Sequence, residues 1–183
     1  MKITFIGTGY VGLVSGVLFA DLGNDVICVD TNKDKIVNLK KGVIPIFEPG
    51  LEEILKKNLK SKRITFTTDL SKAVMLSKII FIAVGTPTAK DGVSADLKNV
   101  FKVTKQIATN VNNYKIIINK STVPVGTGDE VEKIISKRVK KNNFDIVSNP
   151  EFLREGEAIR DFKYPDRIII GSNNLKKTKP ILE

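Results

Sequence analysis

Apolar runs of strand length alternate along the chain with stretches whose apolar residues return every three or four positions. That alternation predicts strands at Lys2–Ile6, Asp25–Val29, 63–67, 78–84, 114–119 and Phe144–Ser148, with one more at 167–170. It predicts helices over 10–22, Lys33–Lys40, 49–60, 97–111 and 131–139. The 10–22 stretch is apolar nearly all round, so it should be buried, and Gly23 is placed to stop it. Pro49 is expected at a first helical position, and Thr127 with Glu130 three residues on reads as a capping box. The run Lys-Ile-Ile-Phe-Ile-Ala-Val at 78–84 has no polar alternation, which marks a central parallel strand buried on both faces. Strands alternating with helices imply an α/β fold, a Rossmann-type doubly wound and mainly parallel sheet with helices on both faces. Residues 1–171 are expected to form that domain. The polar, lysine-rich segment 172–183 is expected to be the cut-off start of a connection to something further on.

The first helix is entered through Gly7-Thr8-Gly9-Tyr10-Val11-Gly12. A G-x-G-x-x-G pattern alone is weak, but here it leaves a strand, opens a helix and is followed by a strand ending at Asp30. That context makes it a dinucleotide site. Gly7 permits the tight turn, Gly9 lets a pyrophosphate approach the backbone, and Gly12 lets the helix lie close to the sheet. The helix N-terminus offers unpaired N–H groups and a partial positive charge to the phosphates. Asp30 is expected to accept hydrogen bonds from the adenosine ribose hydroxyls, which favours NAD over its 2′-phosphorylated form. Lys35 nearby could offset a carboxylate's repulsion of that phosphate.

Ligands of open α/β sheets lie at the carboxyl ends of the strands. Three loops expected there have unusual composition: Gly85-Thr86-Pro87-Thr88, Lys120-Ser121-Thr122-Val123-Pro124-Val125-Gly126-Thr127, and Asn149-Pro150-Glu151-Phe152-Leu153-Arg154-Glu155-Gly156. Thr86, Thr122 and Glu155 are expected to converge on one rim, where they could orient a nicotinamide ribose and a water.

Composition narrows the chemistry. The chain has 183 residues, enough for one domain, and carries 30 basic against 20 acidic side chains, a net +10. Its lysines are scattered over presumed helix faces, as at Lys56, Lys57, Lys60 and Lys62, with no nucleic-acid signature beside them, so no nucleic-acid partner is expected. With no histidine, imidazole can serve neither as base nor as metal ligand, and no metal site is expected. The single cysteine, Cys28, falls inside a strand and reads as a packing residue; with no intrachain disulfide possible, a cytoplasmic setting fits. No stretch approaches the roughly 20 apolar residues of a membrane span, and none is expected.

The glycine fingerprint with Tyr10, Gly85-Thr86-Pro87, Ser94-Ala95-Asp96-Leu97, the Lys120 to Thr127 loop, the run Ser148 to Gly156 and Pro165-Asp166-Arg167-Ile168-Ile169-Ile170-Gly171 follow one another in this order. Together they closely resemble the N-terminal, NAD-binding domain of UDP-glucose 6-dehydrogenases, within the UDP-glucose/GDP-mannose dehydrogenase family. The resemblance implies an oxidoreductase that takes a sugar CH2OH to a carboxylate in two hydride transfers to NAD. A cysteine thiolate traps the aldehyde as a thiohemiacetal, and water hydrolyses the thioester that follows. By resemblance the NAD contacts fall on Val11, Asp30, Lys35, Thr86, Thr122 and Glu155. The substrate contacts fall on Tyr10 and on Glu151, Phe152, Leu153, Arg154 and Glu155, with Thr122 and Glu151 positioning water or polarising the reacting centre. The family's nucleophilic cysteine, its main catalytic lysine and asparagine, its dimer helix and its UDP-binding domain lie beyond residue 183. The chain alone is therefore expected to turn nothing over, and the family's homo-oligomers form through the missing region. UDP-N-acetylmannosamine and GDP-mannose dehydrogenases fit the same motifs, though the run from Asn149 to Gly156 looks most like the UDP-glucose branch. A 3-hydroxy acid dehydrogenase or a non-catalytic dinucleotide-binding module would share the glycine loop without predicting the other runs.

Overall fold

The structure, a computed structural model, describes the backbone of residues 1–182 and the side chains of residues 1–179. The elements run β1 (Lys2–Ile6), α1 (Tyr10–Asp21), β2 (Asp25–Val29), α2 (Lys33–Lys40), α3 (Leu51–Lys60), β3 (Ile64–Thr67) and α4 (Leu70–Leu76). They continue through β4 (Ile79–Ile82), α5 (Lys98–Ala108), β5 (Lys115–Asn119), α6 (Thr127–Ser136) and a 3-10 turn at Lys141–Asn143. β6 (Phe144–Ser148), α7 (Ala158–Lys163), β7 (Gly171–Ser172) and α8 (Leu175–Leu182) complete the order.

The strands form one sheet in the order β3-β2-β1-β4-β5-β6-β7, parallel except for β7, which is antiparallel to β6. The chain reverses its direction of travel across the sheet between β1 and β4, the switch point where a crevice opens in folds of this kind. Register carries the point further. Ile6 pairs with Val29 and Ile82, Ile82 with Asn119, and Asn119 with Ser148, so five strands end in one row and their loops share an edge.

Helices cover both faces. On one, Leu13, Val14 and Val17 of α1, Leu51 and Leu55 of α3 and Ala158 of α7 pack on Phe5, Cys28, Phe81 and Ile116. Phe5 and Phe81 stack with centroids 4.4 Å apart. On the other, Val100 and Ile107 of α5 and Val131 and Ile135 of α6 cover Ile80, Ile82 and Ile117. Every residue of β4 is buried, as expected of a strand sandwiched between helix layers.

Several sequence expectations are corrected. Pro49 lies outside α3, because Gly50 takes a left-handed φ of +81° and turns the chain into the helix at Leu51. Thr127 does not cap α6. Gly126, at φ +88°, is the cap, and the Thr127 hydroxyl donates back to the Pro124 carbonyl at 2.7 Å, so no capping box forms. Residues 167–170 are not a strand; pairing begins at Gly171 and lasts two residues. The segment after Gly171 was assigned no element from its sequence. It finishes β7 and forms α8, tied to β6 where Asn174 donates to Asp145 at 3.1 Å and Lys177 pairs with the same carboxylate at 3.3 Å. Helix α4 was not expected; Asp69 caps it by accepting from the Lys72 amide.

Candidate functional site

The loop after β1 is shaped by two steric demands. Gly7 sits at φ +103°, and a side chain there would run into the Ala83 carbonyl at the end of β4. Gly12, in the first turn of α1, lies against the Gly7 carbonyl and the Ala83 side chain, so any larger residue would push the helix off the sheet. Gly9 is the contrast: nothing lies within 4 Å of where its side chain would point. α1 starts there with no side-chain cap and no acidic residue in its first turn. Its first bond is Leu13 N–H to Gly9 O at 2.9 Å, which leaves the amides of the turn, including half-buried Val11, available to an anion.

Asp30, one residue past β2, closes the other side of this loop. Its Oδ2 accepts from the Thr8 amide at 3.0 Å and the Thr8 hydroxyl at 2.6 Å, and its Oδ1 from the Asn32 amide at 3.0 Å. Lys35 Nζ reaches Oδ2 at 3.2 Å. Burial works to raise this carboxyl, but the Thr8 and Asn32 hydrogen bonds and the Lys35 charge outweigh it, holding Asp30 below the usual carboxylate range. Asp30 is therefore a fixed anion beside the glycine turn, and Lys35 is already committed to it.

The remaining sites lie along the same edge. Thr86 and Thr122 meet directly, the Thr86 hydroxyl donating to the Thr122 carbonyl at 2.9 Å. The Ser121 hydroxyl donates to Val84 O at 2.8 Å and braces the same two loops. Glu151 accepts from the Leu153 amide at 2.6 Å, which folds its own loop. Phe152 lies under Arg167, 4.8 Å from ring centroid to guanidinium carbon. Arg154 is held by Asp161 and Glu157, each at 2.7 Å. Glu155 is exposed on this loop, near enough to Tyr10 for its charge to bear on the phenol. Tyr10 and the loop are brought together: the Tyr10 hydroxyl accepts from the Gly156 amide at 2.9 Å and contacts Arg154 O at 3.2 Å.

Three residues escaped the sequence analysis. Lys120, 8% exposed, extends from the end of β5 to Asn149 Oδ1 at 3.2 Å; burial lowers its ammonium to about 8, against the opposing pull of Glu151. Asn119, 2% exposed, has neither side-chain amide atom hydrogen-bonded among the described residues. Glu48, 4% exposed, accepts hydrogen bonds from the Tyr10 hydroxyl and from two backbone amides. Lys120 opens a loop already noticed and Asn119 ends the expected strand 114–119, and that placement at a strand's carboxyl end was the available signal; Glu48, between Phe47 and Pro49, offered none. Cys28 is buried against Gly16 in the core, its thiol pushed up by burial, as a packing residue should be. No described helix is long and apolar enough to cross a membrane.

Comparison with known proteins gives a consistent picture. The sequence profile of the UDP-glucose/GDP-mannose dehydrogenase family, NAD binding domain, matches residues 1–183. A UDP-glucose 6-dehydrogenase of Rhizobium meliloti is 57% identical over 171 residues, covering 93% of this chain and 39% of that protein. The UDP-glucose 6-dehydrogenase TuaD of Bacillus subtilis is 54% identical over 183 residues, covering 100% and 40%. A GDP-mannose dehydrogenase from Pseudomonas aeruginosa, solved as a ternary complex, superposes with a TM-score of 0.95 at 37% identity, over 100% of this chain and 43% of that one. The chain thus spans about two-fifths of the length of the curated relatives it matches.

Proposed function

The chain belongs to the UDP-glucose/GDP-mannose dehydrogenase family, and from that premise we propose that it is the NAD-binding part of an enzyme oxidising UDP-glucose to UDP-glucuronate. The observation that carries the cofactor assignment is the pairing of an open Gly9 turn with the fixed Asp30 anion on one edge. In this reading Gly7, Gly9, Tyr10, Val11 and Gly12 hold the pyrophosphate, and Asp30 takes the adenosine ribose. Because Lys35 already pairs with Asp30, it is a poor receptor for a 2′-phosphate, which supports NAD over its phosphorylated form. NAD supplies the hydride acceptor. Thr86, Thr122 and Glu155 serve the nicotinamide side, while Tyr10, Glu151, Phe152, Leu153, Arg154 and Glu155 face the sugar nucleotide. Thr122 and Glu151 orient water there, since a hydroxyl and a carboxylate can align a water and accept its proton.

Identities of 57% and 54% to UDP-glucose 6-dehydrogenases, against 37% to the GDP-mannose enzyme, favour UDP-glucose. The nucleophile must come from outside these 183 residues, because their one cysteine is a core thiol that burial keeps protonated. Two absorbance experiments test the proposal. The chain mixed with NAD and UDP-glucose should give no steady NADH formation. A hybrid in which it replaces the matching part of the Bacillus subtilis relative should oxidise UDP-glucose in preference to GDP-mannose. Steady turnover by the chain alone, or the reverse preference in the hybrid, would overturn it.

A further inference from the structure

Glu48 lies in the connection between α2 and α3, a segment to which nothing above assigns a ligand. Yet its carboxylate is buried and fully used. Oε2 accepts from the Tyr10 hydroxyl and from the Gly156 amide at 2.9 Å, and Oε1 accepts from the Ile159 amide at 3.1 Å. The Gly156 amide also reaches the Tyr10 hydroxyl at 2.9 Å, which closes a three-way junction. Gly156 takes a left-handed φ of +86°, so the loop from Glu151 turns sharply at the point where it is gripped. Ile159 is in the first turn of α7, so the grip extends from the loop into the helix behind it.

Tyr10 gives the junction its reach. It is the first residue of α1 and follows Gly9 directly. Its backbone belongs to the turn assigned to the pyrophosphate, while its hydroxyl belongs to the junction with Glu48 and Gly156. Burial, and after it the hydrogen bond to Glu48, pushes the Tyr10 phenol up to about 12, so it keeps its proton and remains a hydrogen-bond donor at neutral pH.

We propose that Glu48 is a positioning residue that couples the two ligand loops, holding the 151–156 segment against the start of α1 through Tyr10. The proposal rests on the assignment of the Gly9 turn to NAD and of the 151–155 segment to the sugar nucleotide. NAD bound at the turn steadies Tyr10, Tyr10 steadies Glu48 and Gly156, and the sugar-binding segment is set before its ligand arrives. Thermodynamic linkage makes the effect reciprocal.

Amide hydrogen exchange on the 183-residue chain tests this, with Glu48→Gln and Tyr10→Phe as variants. Glutamine keeps the size but presents an N–H2 group in place of one of the two acceptor oxygens, so exchange at Gly156 or at Ile159, whichever amide faces it, should quicken by about tenfold or more without ligand. Tyr10→Phe should quicken Gly156 while leaving Ile159 protected, and it keeps the test alive should Glu48→Gln fail to fold. In the wild type, saturating NAD should slow exchange at Gly156 as well as at the glycine turn; in folded Glu48→Gln NAD should still slow exchange at the glycine turn, but the slowing at Gly156 should vanish. Unchanged ligand-free exchange in the folded variants, or NAD-dependent slowing at Gly156 that survives in Glu48→Gln, overturns the coupling. Failure of NAD to bind the wild type overturns the cofactor assignment instead, and the ligand-free exchange rates still judge the junction itself.

Discussion

Strand β5 carries a buried lysine at each end, and the two ammonium groups meet different surroundings. Lys115, at the amino end and 1% exposed, donates to Ser77 O and Asn113 Oδ1 at 2.8 Å each and to Met75 O at 3.3 Å. All three protons are placed, and two of the acceptors are carbonyls at the end of α4. Lys120, just past the carboxyl end, has one hydrogen-bond acceptor among the described residues, Asn149, with the Glu151 charge nearby. Burial lowers both lysines. The difference belongs to the edges rather than to the residue type. At the amino edge the lysine closes the end of a helix and leaves nothing for a ligand. At the carboxyl edge Lys120 and Asn119 are walled in yet keep hydrogen-bonding capacity that no described residue uses. A buried polar group left in that state is costly unless something else completes it, which is what a ligand at this edge would do.

The same substitution at both ends tests the contrast. Lys115→Met should lower unfolding free energy by about 3 kcal/mol in urea titrations, because buried carbonyls lose their donor, while NAD affinity stays within about twofold, since the site lies at the other edge. Equal stability of the variant would mean that the amino-edge lysine is not the clasp described. Lys120→Met should cost far less at pH 7 and should change the response to pH. Folded, Lys120 holds its proton with a pKa of about 8 against 10.5 unperturbed. Between those values the unfolded chain binds more protons, so stability from this group rises with pH. Relative to Lys120→Met, the wild type should therefore gain about 1.5 kcal/mol between pH 8 and 9.5. Parallel curves for the two proteins would place the Lys120 ammonium in water.

The sheet was largely legible in the sequence because its strands announce themselves by continuous burial, as 78–84 does, and because Gly7 and Gly12 answer steric demands that any side chain would violate. What escaped depended on contacts remote in sequence or too brief to leave a period. Helix α4 has seven residues, too few to display a repeat. β7 has two and pairs by virtue of where β6 ends, so the apolar run at 167–170 misplaced it. Thr127 looked like a cap because its hydroxyl suits the role, but Gly126 can take the left-handed turn that threonine resists, and the cap moved by one residue. Of the candidate site, the placement of Asp30 beside the glycine turn and the meeting of Thr86 with Thr122 were legible from their loops. Glu48 could not have been read, since the amides that bury it lie 108 and 111 residues away.

The central claim is that the Gly9 turn and Asp30 form a dinucleotide site in this chain. Calorimetric titration of the wild type and of Asp30→Ala with NAD measures it most directly. Saturable binding to the wild type is expected, weakened by about tenfold or more in the variant through loss of a charged hydrogen-bond acceptor, at a temperature where both proteins are folded. Absence of binding to the wild type, or equal affinity in Asp30→Ala, would contradict the account.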